Sequence, residues 1–103
     1  MKTELNIFFR KKILVYGLGK SGLSTFNFLK NKSDVFLYDD FFFKSKNSNL
    51  AKRLVSHKKI LNLNFDKIIL SPGIDINKCK LSKFLKKNYD KIYSDLDIFF
   101  FFF

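Results

Sequence analysis

The 103-residue sequence predicts an α/β fold: one domain built on a doubly wound parallel sheet. Three observations carry that prediction. Short unbroken runs of β-forming apolar residues recur at Ile13–Tyr16, Val35–Tyr38 and Ile68–Leu70, as in strands covered on both faces. Segments of helical spacing lie between the runs. Each run stops at a glycine, an acid pair or a Ser-Pro-Gly turn, so the turns gather at the carboxyl ends of the strands, where such sheets form their binding crevice.

Taken in order, Ile13-Leu14-Val15-Tyr16 is the first strand and ends at Gly17. Behind the glycines, Leu23, Phe26 and Leu29 recur every three residues beside Ser24, Asn27 and Lys30, which predicts a helix from Lys20 to Asn31. After a turn at 31–34, Val35–Tyr38 is the second strand, stopped by Asp39-Asp40. A parallel connection of this kind is right-handed, which lays the helix on one face of the sheet. Phe41 to Asn49 fits neither periodicity and reads as a loop, followed by a short helix over Leu50–Val55 and a short strand over Ile60–Leu63. Ile68–Leu70 is a buried strand ended by Ser71-Pro72-Gly73. Leu81, Phe84, Leu85 and Tyr89 then fall at helical spacing, with Lys80, Lys83, Lys86 and Lys87 on the other face. Lys91–Tyr93 begins one more strand, and Asp95 and Asp97 suit the start of a helix, where carboxylates meet the positive end of the dipole.

These elements divide the chain into an amino-terminal extension (1–10), the sheet domain (11–95) and the start of a linker (96–103). The five phenylalanines Phe99–Phe103 read as an element cut short or a reading frame lost in a run of T, and both predict a longer natural chain.

Composition narrows the function. The net charge of +11 would suit a polyanionic partner, but it comes from eighteen Lys and only two Arg spread along a chain also rich in Asn, Ile and Phe with a single Ala. A- and T-rich coding produces the same charge without a partner, and that reading is preferred. The single Cys79 permits no internal disulfide, and one His with one Cys makes no zinc pattern. No apolar stretch reaches the roughly 18–20 residues of a membrane span, and Arg10-Lys11-Lys12 follows the first apolar residues in the reverse of signal-peptide order. The expectation is a cytoplasmic monomer without bound metal or membrane. His57, among Ser56, Lys58 and Lys59, reads as a solvated loop residue rather than part of a catalytic triad.

The chemistry concentrates at Gly17, Gly19 and Gly22, spaced G-x-G-x-x-G directly after a strand and opening a helix. The first glycine permits a tight turn, the second lets a phosphate reach the backbone, and the third lets helix and strand pack closely. First-turn N–H groups then face an anion. Asp39 follows the first glycine by 22 residues, where a carboxylate commonly accepts from a ribose. Gly19-Lys20-Ser21 is not the end of an ATP-type P-loop, because the further glycine that motif needs is Leu14. Lys20 remains a point charge near a phosphate or a solvated first-turn lysine. Ser71-Pro72-Gly73 terminates a strand at the same sheet edge, and Ser71 can offer a hydroxyl to an anion or sugar.

Four segments occur together in one order: ILVYGLGKSGLS (13–24), VFLYDD (35–40), IILSPGI (68–74) and YSDLDIFF (93–100). In that order they resemble the amino terminus of the Mur ligases, and most of all the members that add D-glutamate. The resemblance implies a Rossmann-like domain that holds the UDP part of UDP-N-acetylmuramoyl-L-alanine. It places Leu18, Gly19, Lys20, Ser21 and Gly22 against the diphosphate, with Ser21 as a side-chain donor, Asp39 and Asp40 by the uridine, and Ser71, Pro72 and Gly73 on the other side of the nucleotide. Asp40 and Phe41 depart from the polar or basic residues often found after that acid. It also implies that ATP and Mg belong to domains outside these 103 residues, that no catalytic residue lies within them, and that this piece is inactive alone. The residues by themselves leave two rivals open: an NAD-binding domain of an oxidoreductase or regulatory subunit, on the same glycines and Asp39, and a small basic nucleic-acid binder, on the six Lys or Arg of Lys44–Lys59.

Overall fold

The apolar runs form strands because both of their faces find cover. In the computed structural model, which describes residues 7–41 and 48–102, four parallel strands among the described residues make one sheet in the order β2-β1-β3-β4. These are β1 (Lys12–Tyr16), β2 (Asp34–Tyr38), β3 (Lys67–Leu70) and β4 (Ile92–Ser94). Leu14 of β1 lies opposite Phe36 of β2 and Ile68 of β3, so the central strand is paired along both edges. Side chains alternate between faces with period two. Ile13 and Val15 therefore point to one core with Phe26, Leu29, Leu37 and Ile98, while Leu14 and Tyr16 point to the other with Ile60, Phe65, Leu81 and Leu85.

Helices supply the cover on each side. On the first face lie α1 (Lys20–Leu29), which buries Phe26 and Leu29, and α5 (Asp95–Phe102), which buries Ile98. The short helix α2 (Ser48–Arg53) runs beside β2. On the second face, α3 (His57–Asn62) and α4 (Ser82–Lys87) contribute Ile60 and Leu85. The expected doubly wound α/β sheet is present.

Several boundaries differ from the sequence expectation. Of Ile60–Leu63, expected as a strand, Ile60, Leu61 and Asn62 belong to α3 and Leu63 follows as its C-cap: the Ser56 hydroxyl caps the helix start by accepting from Lys59 N at 3.1 Å, and only Ile60 of this turn is buried, while Leu61 is exposed. Three apolar residues within four positions cannot by themselves distinguish one buried helical turn from a strand, and here the cap decides. Asn49, expected in a loop, lies in α2, and 42–47 of that loop fall outside the described residues. The helix at 82–87 stops earlier than its spacing suggested; Tyr89, expected on its apolar face, is exposed in a 3-10 turn at Tyr89–Lys91, and β4 starts at Ile92 rather than Lys91.

Residues on both sides of the sheet segment also join the core. Phe8 is fully buried, its ring lies edge-on to Tyr93 at 5.2 Å, and its carbonyl accepts from the Ser33 hydroxyl at 2.5 Å. Asp95 and Asp97 open α5 as expected. Asp97 accepts from Ser94 N at 2.7 Å while Ser94 Oγ accepts from Asp97 N at 3.2 Å, a reciprocal cap. Phe99–Phe102 continue α5, and Phe103 lies outside the described residues. No helix among the described residues is long and apolar enough to cross a membrane.

Candidate functional site

The glycine loop joins β1 to α1 at the carboxyl edge of the sheet. Gly17 has φ +106°, a conformation that L side chains avoid, and a Cβ there would lie 2.5 Å from Ser71 Cβ. Gly22 is closer still: a Cβ would meet the Gly17 carbonyl oxygen at 1.9 Å, so helix and loop touch backbone to backbone. Gly19 is different, because nothing lies within 4 Å of where its Cβ would be. Two of the three glycines thus serve packing, and the middle one leaves backbone open to an approaching group. Gly19 is also the N-cap of α1, with no side-chain cap and no acid in the first turn. That helix end carries N–H donors and positive dipole charge with no carboxylate of its own helix to neutralise them. Lys20 is exposed beside it and Ser21 is half-buried.

The two acids after β2 hold this edge together. Asp39 accepts from Leu18 N at 2.7 Å with one carboxylate oxygen and from Phe41 N at 2.9 Å with the other. It therefore ties the glycine loop to the end of β2, and its remaining lone pairs can still accept from a ligand hydroxyl. Asp40 turns to a different partner: the Tyr16 hydroxyl donates to it at 2.7 Å, Lys80 N donates at 3.2 Å, and the Lys80 ammonium donates to the Asp40 carbonyl at 2.9 Å. Leu81 N in turn donates to the Tyr16 hydroxyl oxygen at 3.4 Å. Burial, with the Asp40 hydrogen bond next, pushes the Tyr16 hydroxyl far above the ordinary tyrosine range. Tyr38, which meets Tyr16 edge-on at 5.3 Å, is raised in the same direction, chiefly by burial.

Ser71 closes the other side. Its N–H donates to the Tyr16 carbonyl at 3.0 Å, as Gly17 N does to the Tyr38 carbonyl at 2.9 Å, so the three strand ends are linked in one row. Pro72 and Gly73 are exposed beyond it. The structure thus brings Leu18–Gly22, Asp39 and Ser71–Gly73 to one edge, with Asp40 facing Tyr16 and Lys80. Sequence reasoning missed Tyr16 and Lys80: Tyr16 read as the last apolar residue of a strand, and Lys80 as one lysine of a solvated helix face. Asp95 Oδ1, at the carboxyl end of β4, is a buried oxygen with no partner among the described residues. His57 is exposed as expected, though at the first position of α3 rather than in a loop, and Cys79 is a free thiol.

Residues 11–92 match the family Mur ligase MurD-like, N-terminal domain. The chain belongs to this family. It is 36% identical over 102 residues to the UDP-N-acetylmuramoylalanine–D-glutamate ligase of Rickettsia felis, covering 93% of this chain and 22% of that relative. The Rickettsia prowazekii ligase of the same name is 34% identical with the same coverage, and that of Pasteurella multocida is 35% identical over 94 residues, covering 86% of this chain and 21% of the relative. The chain thus spans about a fifth of the length of the curated relatives it matches. No solved structure matches it. Membership of a ligase family replaces the oxidoreductase and nucleic-acid readings that the residues alone left open. The matched family is an amino-terminal domain, in keeping with the small share of each relative that the chain covers.

Proposed function

We propose that this domain holds the UDP part of UDP-N-acetylmuramoyl-L-alanine for a ligase that adds D-glutamate to it with ATP. The observation that carries this reading is the uncovered backbone at Gly19, which caps a helix start with no side-chain cap and no acid. Diphosphate oxygens would accept from the N–H groups of that first turn, with Ser21 and Lys20 as side-chain donors. Asp39 and the Ser71–Gly73 turn flank this point and would meet the uridine.

The chemical step belongs elsewhere. In such a ligase ATP phosphorylates the alanyl carboxylate, and the amine of D-glutamate attacks the acyl phosphate and expels phosphate. The residues here do not fit ATP or Mg: position 14 is Leu where a P-loop needs glycine, and no group of three metal-ligating residues occurs among the described residues. On this reading the domain is a substrate holder, inactive alone.

Calorimetric titration of the 103-residue chain with UDP-N-acetylmuramoyl-L-alanine and with NAD tests the reading, together with a phosphate-release assay containing ATP, Mg and D-glutamate. Binding of the UDP compound in preference to NAD, without phosphate release, is expected. Preference for NAD, or ligase turnover by this chain, would overturn it.

A further inference from the structure

A second place in the molecule has the size and the donors of a ligand site. A cavity of about 480 Å³ opens at the start of β2, beside the end of α1 and α2, within the roughly 300–1,000 Å³ of small-molecule sites. The length of β2, about 13 Å of strand, separates it from Asp39 and the glycine loop. Buried Phe26 and Val35 give it an apolar side. Its cations are not equivalent. Arg53 Nε donates to the Val35 carbonyl at 2.6 Å, its guanidinium carbon lies 4.4 Å from the Phe36 ring centroid, and a terminal nitrogen pairs with Asp34. That pair ties α2 to β2 and neutralises Asp34, which lines the cavity too. Lys30, from the end of α1, and Lys52, from α2, also line it, and their ammonium groups have no ion-pair partner among the described residues. Basic residues near helix ends are ordinary, because they meet the negative end of the dipole. At the end of α1, however, the Phe26 carbonyl is already taken by Lys30 N at 2.8 Å, and the Leu29 carbonyl by Lys32 N and Ser33 N at 2.9 Å. Lysines from two helices instead share one cavity.

We infer that this cavity binds a dianionic phosphate group, free or carried on a small monoester, with Lys30 and Lys52 as its charge partners. Two unpaired cations match the two charges of such a group. A carboxylate is best held by the planar fork of an arginine, and Arg53 has turned its fork to Asp34 and Val35, whereas lysines bind phosphate oxygens as point charges. The site shares no residue with the edge proposed for the nucleotide, so the two stand or fall separately.

The test follows backbone amide shifts of the 103-residue chain during titration with inorganic phosphate, glycerol 3-phosphate and, as the uncharged control, glycerol. Ionic strength is held constant at about pH 8, where the phosphates carry two charges. Saturable shifts at Lys30–Val35 and Asn49–Arg53 are expected with both phosphates and none with glycerol; the phosphate that binds more tightly names the source, free or esterified. Lys30→Gln combined with Lys52→Gln is expected to weaken that binding about tenfold, and Lys30→Arg combined with Lys52→Arg to retain it, with far-UV circular dichroism as a check of folding. Shifts that grow without saturating, equal shifts with glycerol, saturation at Leu18–Gly22 alone, or unchanged affinity in the Lys30→Gln/Lys52→Gln chain would overturn the site.

Discussion

At the scale of single residues, the three glycines separate into two kinds, and substitutions should expose the difference. Gly22→Ala drives a methyl into the Gly17 carbonyl, where the obstacle is backbone and cannot swing aside. A loss of about 3 kcal/mol or more in chemical denaturation is expected. Gly19→Ala meets no atom, so stability should change by only about 0.5 kcal/mol while UDP binding weakens, because the methyl stands where a phosphate would approach. Tyr16 gives a pH signature. Its folded pKa is raised above the unfolded value, so its contribution is complete below about pH 10 and is lost as pH rises beyond it, at up to about 1.4 kcal/mol per pH unit. Tyr16→Phe should cost about 1–3 kcal/mol at neutral pH, since Asp40 and Leu81 N lose a partner, and should flatten the alkaline decline; Tyr38, raised in the same direction, keeps part of it. The glycines were legible because their spacing is local. The Tyr16 hydroxyl was not, because its acceptor lies 24 residues away and its donor 65 residues away, and nothing near Tyr16 in sequence hints at either.

At the scale of elements, the helix starts carry the local specification. The reciprocal Ser94–Asp97 cap satisfies two backbone donors where β4 turns into α5. Ser94→Ala should cost about 1 kcal/mol, and adding Asp97→Ala should cost less than the sum, because the two side chains act as one unit. Thermal denaturation of the two single variants and the double variant reads this directly. Asp95 and Asp97 announced that helix in the sequence because acids at a helix start are a local signal. Ser56 announced α3 just as locally, but the apolar run Ile60–Leu63 behind it looked like a strand, and one buried isoleucine per turn leaves too little periodicity to decide. The strands β1, β2 and β3 were readable within a residue or so because burial on both faces forces continuous apolar runs, whereas β4 shares its three half-buried residues with an edge and announces itself weakly.

At the scale of the whole molecule, the parallel order β2-β1-β3-β4 is what makes three distant turns into one site. Alternating strand and helix signals implied a parallel sheet, since each crossover returns the chain to the same end, while the order of the strands came from the structure. The bridging of those turns by Tyr16, Asp40 and Lys80 depends on contacts between elements and could come only from the structure. The molecule also has the cavity of about 480 Å³ at its opposite end, lined by Lys30, Asn31, Lys52 and an Arg53 already paired with Asp34, so its lysines are a second basic place for an anion. A map of backbone amide shifts in the 103-residue chain on addition of UDP distinguishes them. The account predicts the largest shifts at Leu18–Gly22, with further shifts at Asp39–Phe41 and Ser71–Gly73. Shifts confined to Lys30, Asn31, Lys52 and Arg53, with the glycine loop unmoved, would contradict it.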